Sequence, residues 1–182
     1  MPDEVSNTSR PGKGLPRVLI SEILVGILFN GLVFPYLIWL VNLPPPATLG
    51  GRDGVVASLT KATGFAVSLM TLILTLVWRK NAAKGTVPSV GTTVLAWSRF
   101  TPHNIVGRAM FFVFLALATL MPIGVTVCFY FGLYPMTKLS FAAVNIGYGT
   151  LIGSVVTPWV ALAAMAESQA ERSEGSKHAG PQ

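Results

Sequence analysis

Two histidines, His103 and His178, and one cysteine, Cys128, are all the soft-ligand and thiol chemistry in this 182-residue chain. No HxxxH, CxxC or His/carboxylate cluster stands at metal-ligand spacing, and a single thiol excludes an intrachain disulfide or dithiol redox work. No GxSxG elbow, phosphate loop or dinucleotide fingerprint is present. No metal or cofactor is expected, and nothing in the residues asks for an enzyme. The remaining candidates are Glu22, Lys61 and Arg108. Each lies in or beside a long apolar run, where an ionisable group is costly and marks function by default. The chemistry open to them is ion pairing, ion-coupled carriage or the holding of an anion.

The elements that must position these residues follow from the charge distribution. Only 20 residues are charged and 52% are hydrophobic, with a mean hydropathy of +0.61. Four uncharged gaps of 29, 17, 29 and 28 residues follow Glu22, Lys61, Arg108 and Lys138 and hold 103 of the 182 positions. A soluble domain of this size has too little interior to hide four such segments, and a disordered chain or a disulfide scaffold is excluded with it. The gaps are too long and continuous for barrel strands, and open sheets cannot cross lipid. The expected fold is an all-α integral membrane protein with four transmembrane helices in a bundle, at about 16–41, 54–78, 102–134 and 139–166. Thr101 and Pro102 are the expected cap and first residue of the third helix. Residues 1–14 and 167–182 are polar and are expected to form mobile ends around a membrane domain of residues 15–166.

Basic residues set the orientation. With the N-terminus inside, the cytoplasmic segments hold Arg10, Lys13, Arg17, Arg79, Lys80, Lys84, Arg99, Arg108, Arg172 and Lys177. The outer side holds Arg52, Lys61 and Lys138. Ten against three predicts N-in/C-in topology, and the expected location is the plasma (inner) membrane. The net charge of +6 then needs no nucleic-acid partner. The expected partners are the lipid bilayer, with anionic headgroups on the cytoplasmic side, and other copies or other membrane subunits. The stretch Val94 to Phe100 mixes apolar, aromatic and basic residues and is suited either to the cytoplasmic membrane surface or to a loop anchored by Trp97.

Depth follows from a rise of about 1.5 Å per residue. Glu22 falls about 10 Å inside the midplane and Arg108 about 15 Å inside, close enough in depth to pair, with Arg17 as the other candidate partner of Glu22. Pro35, Pro122, Lys61 and Asn145 fall about 6–11 Å on the outer side, one from each helix. Each proline frees a carbonyl four residues earlier. Freed carbonyls, an ammonium and an amide at one level suit a hydrated outward pocket, with Asn30 near the midplane as its floor. The plainer alternatives are a snorkelling Lys61 and an Asn145 that bonds a neighbouring helix.

Span four carries an association signal. Gly149 and Gly153 form GxxxG, with Gly147 and Ser154 adding small residues around them, and such a face admits another backbone closely. Its partner is expected to be span one, through Gly26 and Gly31, or the same helix of a second copy. Glycine and the following proline are nine positions apart in both spans (Gly26 to Pro35, Gly149 to Pro158). Three functions fit these features. The first is a non-catalytic component of a membrane assembly. The second is a small transporter or channel using the outer pocket. The third is a lipid-handling enzyme that places His103, Arg99 and Arg108 near phosphates.

Overall fold

The computed structural model describes residues 14–41 and 44–178. Among them there are helices and no strands: α1 Leu15–Leu28, a π-helical segment Phe29–Val33, α2 Phe34–Leu40, α3 Val55–Ala83, α4 Thr92–Ser98, α5 Ile105–Tyr130 and α6 Lys138–His178. Four stretches are long and apolar enough to cross a bilayer: Leu15–Leu40, Val55–Ala83, Ile105–Tyr130 and Lys138–Ala170. The expected mobile segment 1–14 lies outside the described residues up to position 13, as do residues 179–182 of the expected tail.

Local chemistry explains where these helices begin, bend and stop. Pro16 sits in the first turn of α1, where its missing N–H costs nothing. Pro35 cannot donate to the carbonyl of Gly31, and the chain absorbs the lost bond in a π turn. There the amide of Phe34 reaches back five residues to Phe29. The third long helix starts later than Thr101 and Pro102 suggest, because Asn104 is the better cap and its side chain accepts from the amide of Gly107. Thr101 instead donates to the carbonyl of Ser98 at 2.7 Å, closing the end of α4. Two helices stop at left-handed glycines, Gly85 with φ 75° and Gly132 with φ 59°. In each, the amides of the glycine and of its successor return to the last turn. Thr86 bonds Asn81 at 3.1 Å and Leu133 bonds Cys128 at 3.0 Å. That geometry ends α5 at Tyr130 rather than Tyr134.

Helix α6 is the shared element. Helices α1 and α3 pack on it, α3 also packs along α5, and α4 lies against α6. Where α1 meets α6, glycine sets the separation. A β-carbon on Gly149 would collide with the backbone carbonyl of Asn30, and one on Gly153 would stand 2.7 Å from the amide of Ile27. A β-carbon on Gly26 would lie 2.8 Å from the carbonyl of Gly153, and one on Gly31 would strike the Thr150 hydroxyl. The contacts Gly26–Gly153 and Asn30–Gly149 exchange when each position is replaced by its counterpart in the nine-residue repeat, so the two segments meet as an antiparallel pair. Gly147 meets nothing, and the Ser154 hydroxyl donates to the carbonyl of Thr150 in its own helix at 2.8 Å. Further along α6, Val160, Ala161, Ala163, Ala164, Met165 and Ala166 are all buried. Small side chains there let α3, α4 and α5 approach the same helix.

Candidate functional site

The ionisable groups that do meet are at the end of the molecule where α3 stops and α5 starts. Asn104 caps α5, and one turn later Arg108 points inward, with its side chain 1% exposed. Helix α6 does not fray after Ala166. It continues and places Glu167 opposite, with its side chain 8% exposed. Arg108 Nη2 and Glu167 Oε2 are 2.8 Å apart, and Arg108 Nε donates to the carbonyl of Pro102 at 3.3 Å. Arg79, from the last turns of α3, reaches both Glu167 Oε1 and the carbonyl of His103, each at 3.4 Å. His103 Nδ1 lies 4.0 Å from Glu167 Oε1. One carboxylate therefore ties together α3, α5 and α6.

A cavity of about 280 Å³ opens beside this cluster, lined by Ser98, Arg99, His103, Arg108, Glu167 and Gln169 among others. Ser98 donates to Leu95 at 2.8 Å and Thr101 to Ser98, so both hydroxyls are occupied. His103 is too far from the carboxylate for a hydrogen-bonded base pair. No group of three His, Cys, Asp or Glu side chains that could hold a metal gathers among the described residues.

The expected Glu22–Arg108 pair does not form. Helix α1 packs on α6, whereas Arg108 is on α5 and is taken by Glu167. Glu22 stays half-buried, with no ion-pair partner among the described residues. The expected outer pocket is also divided. Lys61 lines a cavity of about 470 Å³ between α2 and α3, walled by Phe34, Leu37, Phe65 and Phe141, with Asp53 and Ser58 at its rim. Asn145 is elsewhere, donating to the carbonyl of Phe141 at 2.8 Å in its own helix. It borders a gap of about 20 Å³ beside Pro35. Asn30 is wholly buried, and neither end of its amide has a hydrogen-bond partner. Pro122 is exposed on α5. Of the four outer residues, Pro35 and Asn145 line one small gap, while Lys61 and Pro122 lie apart from it, because depth along the helix axis carries no information on the direction each side chain faces.

Part of the stretch Val94 to Phe100 turns inward, while Ala96, Arg99 and Phe100 stay exposed. Trp97 on α4 packs on Phe112 and Trp159, with ring centroids 6.3 and 4.9 Å away.

Sequence reasoning missed Glu167 and Arg79, having taken the first as the start of a mobile tail. The signal was available. No glycine or proline interrupts the chain between Pro158 and Gly175, and Val160, Ala164 and Glu167 recur at helical spacing on one face.

Four spanning helices define a multi-pass membrane protein. No known family, curated protein or solved structure matches the chain.

Proposed function

We propose that this chain is a non-catalytic four-helix bundle of the plasma membrane, N-in and C-in, that acts as a component of a membrane assembly, either as a homo-oligomer or as an accessory subunit. The observation that carries the reading is the closeness of α1 and α6. Backbone lies on backbone at Gly26, Asn30, Gly149 and Gly153, leaving no passage for a solute between these helices. The ionisable groups that converge at Glu167 hold α3, α5 and α6 together. The ten-to-three distribution of basic residues supports this orientation, in which the Arg108–Glu167 cluster is on the cytoplasmic side. Since Gly149 and Gly153 are engaged within the chain, association falls to other faces.

Blue-native electrophoresis and cross-linking in mild detergent test this. A species larger than one chain, or a reproducible partner, is expected. A strictly monomeric protein that co-purifies with nothing overturns it. A second reading, a small solute or ion transporter, draws on the cavity at Lys61. It requires Lys61→Ala or Glu22→Gln to change flux in proteoliposomes; unchanged flux in both removes these residues from any transport mechanism.

A further inference from the structure

The cavity between α2 and α3 is apolar along most of its wall yet carries one cation and one anion, Lys61 and Asp53. Both side chains are exposed, and neither has an ion-pair partner among the described residues. They do not pair with each other. Their order along the chain explains this and suggests what fits between them. Asp53 precedes Gly54, the cap of α3, and so lies just before the apolar span Val55–Ala83. Lys61 lies about 9 Å deeper along the helix axis than the first residue, Val55. Helical side chains lean toward the helix N-terminus, and a lysine stem reaches about 6 Å toward water. The ammonium therefore comes up to about 3 Å below the level of Val55, still short of the carboxylate. Ser58, about 4.5 Å along the helix from Val55, lines the same cavity at about the level of that ammonium, and its hydroxyl makes no hydrogen bond within the described residues. One turn below Lys61 the wall becomes aromatic, with Phe65 stacked on Phe34 at 5.3 Å.

From the start of α3 inward, the groove offers a carboxylate, then a hydroxyl and an ammonium at about one level, then an apolar trough. A phospholipid with a primary-ammonium headgroup presents the complementary sequence of ammonium, phosphate and acyl chain. We propose that this groove is a binding site for such a lipid. Its ammonium donates to Asp53, its phosphate accepts from Lys61 and Ser58, and one acyl chain lies along Leu37, Phe34 and Phe65. A quaternary ammonium cannot donate to Asp53, and a glycerol headgroup brings no cation to it, so the site discriminates among headgroups. The proposal is independent of whether the protein works in an assembly.

The test is native mass spectrometry of the full chain, delipidated and then titrated with phospholipids of matched acyl chains carrying ethanolamine, choline or glycerol headgroups. Retention of the ethanolamine lipid is expected to exceed that of the other two by about tenfold, the change set by one charge-assisted hydrogen bond. Asp53→Asn should abolish the difference between ethanolamine and choline, while Lys61→Gln should lower retention of all three. Both side chains are exposed, so neither change threatens folding. Ala62→Trp, which fills the trough, should reduce retention regardless of headgroup. Equal retention of the three lipids by the unaltered chain overturns the proposal. So does a preference that survives both Asp53→Asn and Ala62→Trp.

Discussion

Arg108 and Glu167, 59 positions apart in sequence, face each other at 2.8 Å with both side chains almost wholly removed from solvent. A buried pair of this kind gains little over well-packed apolar residues, but breaking it strands a charge. Glu167→Gln or Arg108→Met alone should therefore lower stability by about 3–5 kcal/mol. The double replacement Arg108→Met with Glu167→Leu should recover most of that loss. Thermal unfolding in detergent distinguishes the outcomes. A double variant as unstable as the sum of the singles would show that the charges do more than neutralise each other.

Arg79 reaches the same carboxylate from a different environment. Its side chain is 45% exposed and stands 3.4 Å from Glu167 Oε1. Exposed pairs contribute about 0–1 kcal/mol because water and salt screen them. Arg79→Ala should accordingly shift the unfolding midpoint far less than Arg108→Met, and the shift should shrink further at high salt. A loss equal to that of Arg108 would mean that Arg79 carries the buried charge.

The glycines of α6 divide by what they face. Gly149 has the carbonyl of Asn30 where a β-carbon would go, while Gly147 has open space. Gly149→Ala must push α1 away from α6 and should cost about 1–3 kcal/mol or more. Gly147→Ala meets nothing and should be neutral or stabilising by up to about 1 kcal/mol, since alanine is the better helix former. Equal effects at both positions would count against the packing at Asn30. The two substitutions share a helix and a chemistry, so the difference isolates the contact.

Helix α6 runs past Ala166, and Glu167, Ser168 and Gln169 take part in the fold. Ser168 donates to Ala164 at 2.9 Å, and the Gln169 side chain accepts from the amide of Val90 at 3.0 Å. Ending the chain after Ala166 should therefore destabilise it about as much as Glu167→Gln. Ending it after Ala170 should leave stability near that of the full chain. Detergent unfolding of the two truncations decides whether the boundary lies before or after Glu167.

What was legible in the sequence was one-dimensional. Uncharged runs give spans, and Gly149 and Gly153 mark the face that α1 meets, because lipid-facing glycine has no advantage there. Azimuth was not legible. Lys61 and Asn145 share a depth, yet one faces a groove beside α2 and the other bonds its own helix. Glu22 and Arg108 likewise share a depth, but α1 packs on α6 while Arg108, on α5, is taken by Glu167. The π turn at Phe29–Val33 adds to this difficulty, since one wide turn rotates every later residue of the span relative to a regular count. Charges near span ends were the most easily misread. Glu167 looks like the first residue of a polar tail until its helix is seen to continue.

The proposed orientation makes a final prediction that the helices themselves do not decide. Basic residues are retained on the cytoplasmic side, and the expected excess lies on the side of Arg79, Lys80, Lys84, Arg99 and Arg108. Cys128 is buried, so replacing it with serine gives a background in which a single introduced thiol reports its own side. Ala47 and Thr93 are exposed residues on opposite sides of the spans. In intact cells a membrane-impermeant thiol reagent should label Ala47→Cys at once and Thr93→Cys only after permeabilisation. The reverse pattern would put both ends of the chain outside and move the Arg108–Glu167 cavity to the external face. Labelling of both in intact cells would mean two populations of opposite topology, an outcome that adding arginine beside Thr93 should convert to one.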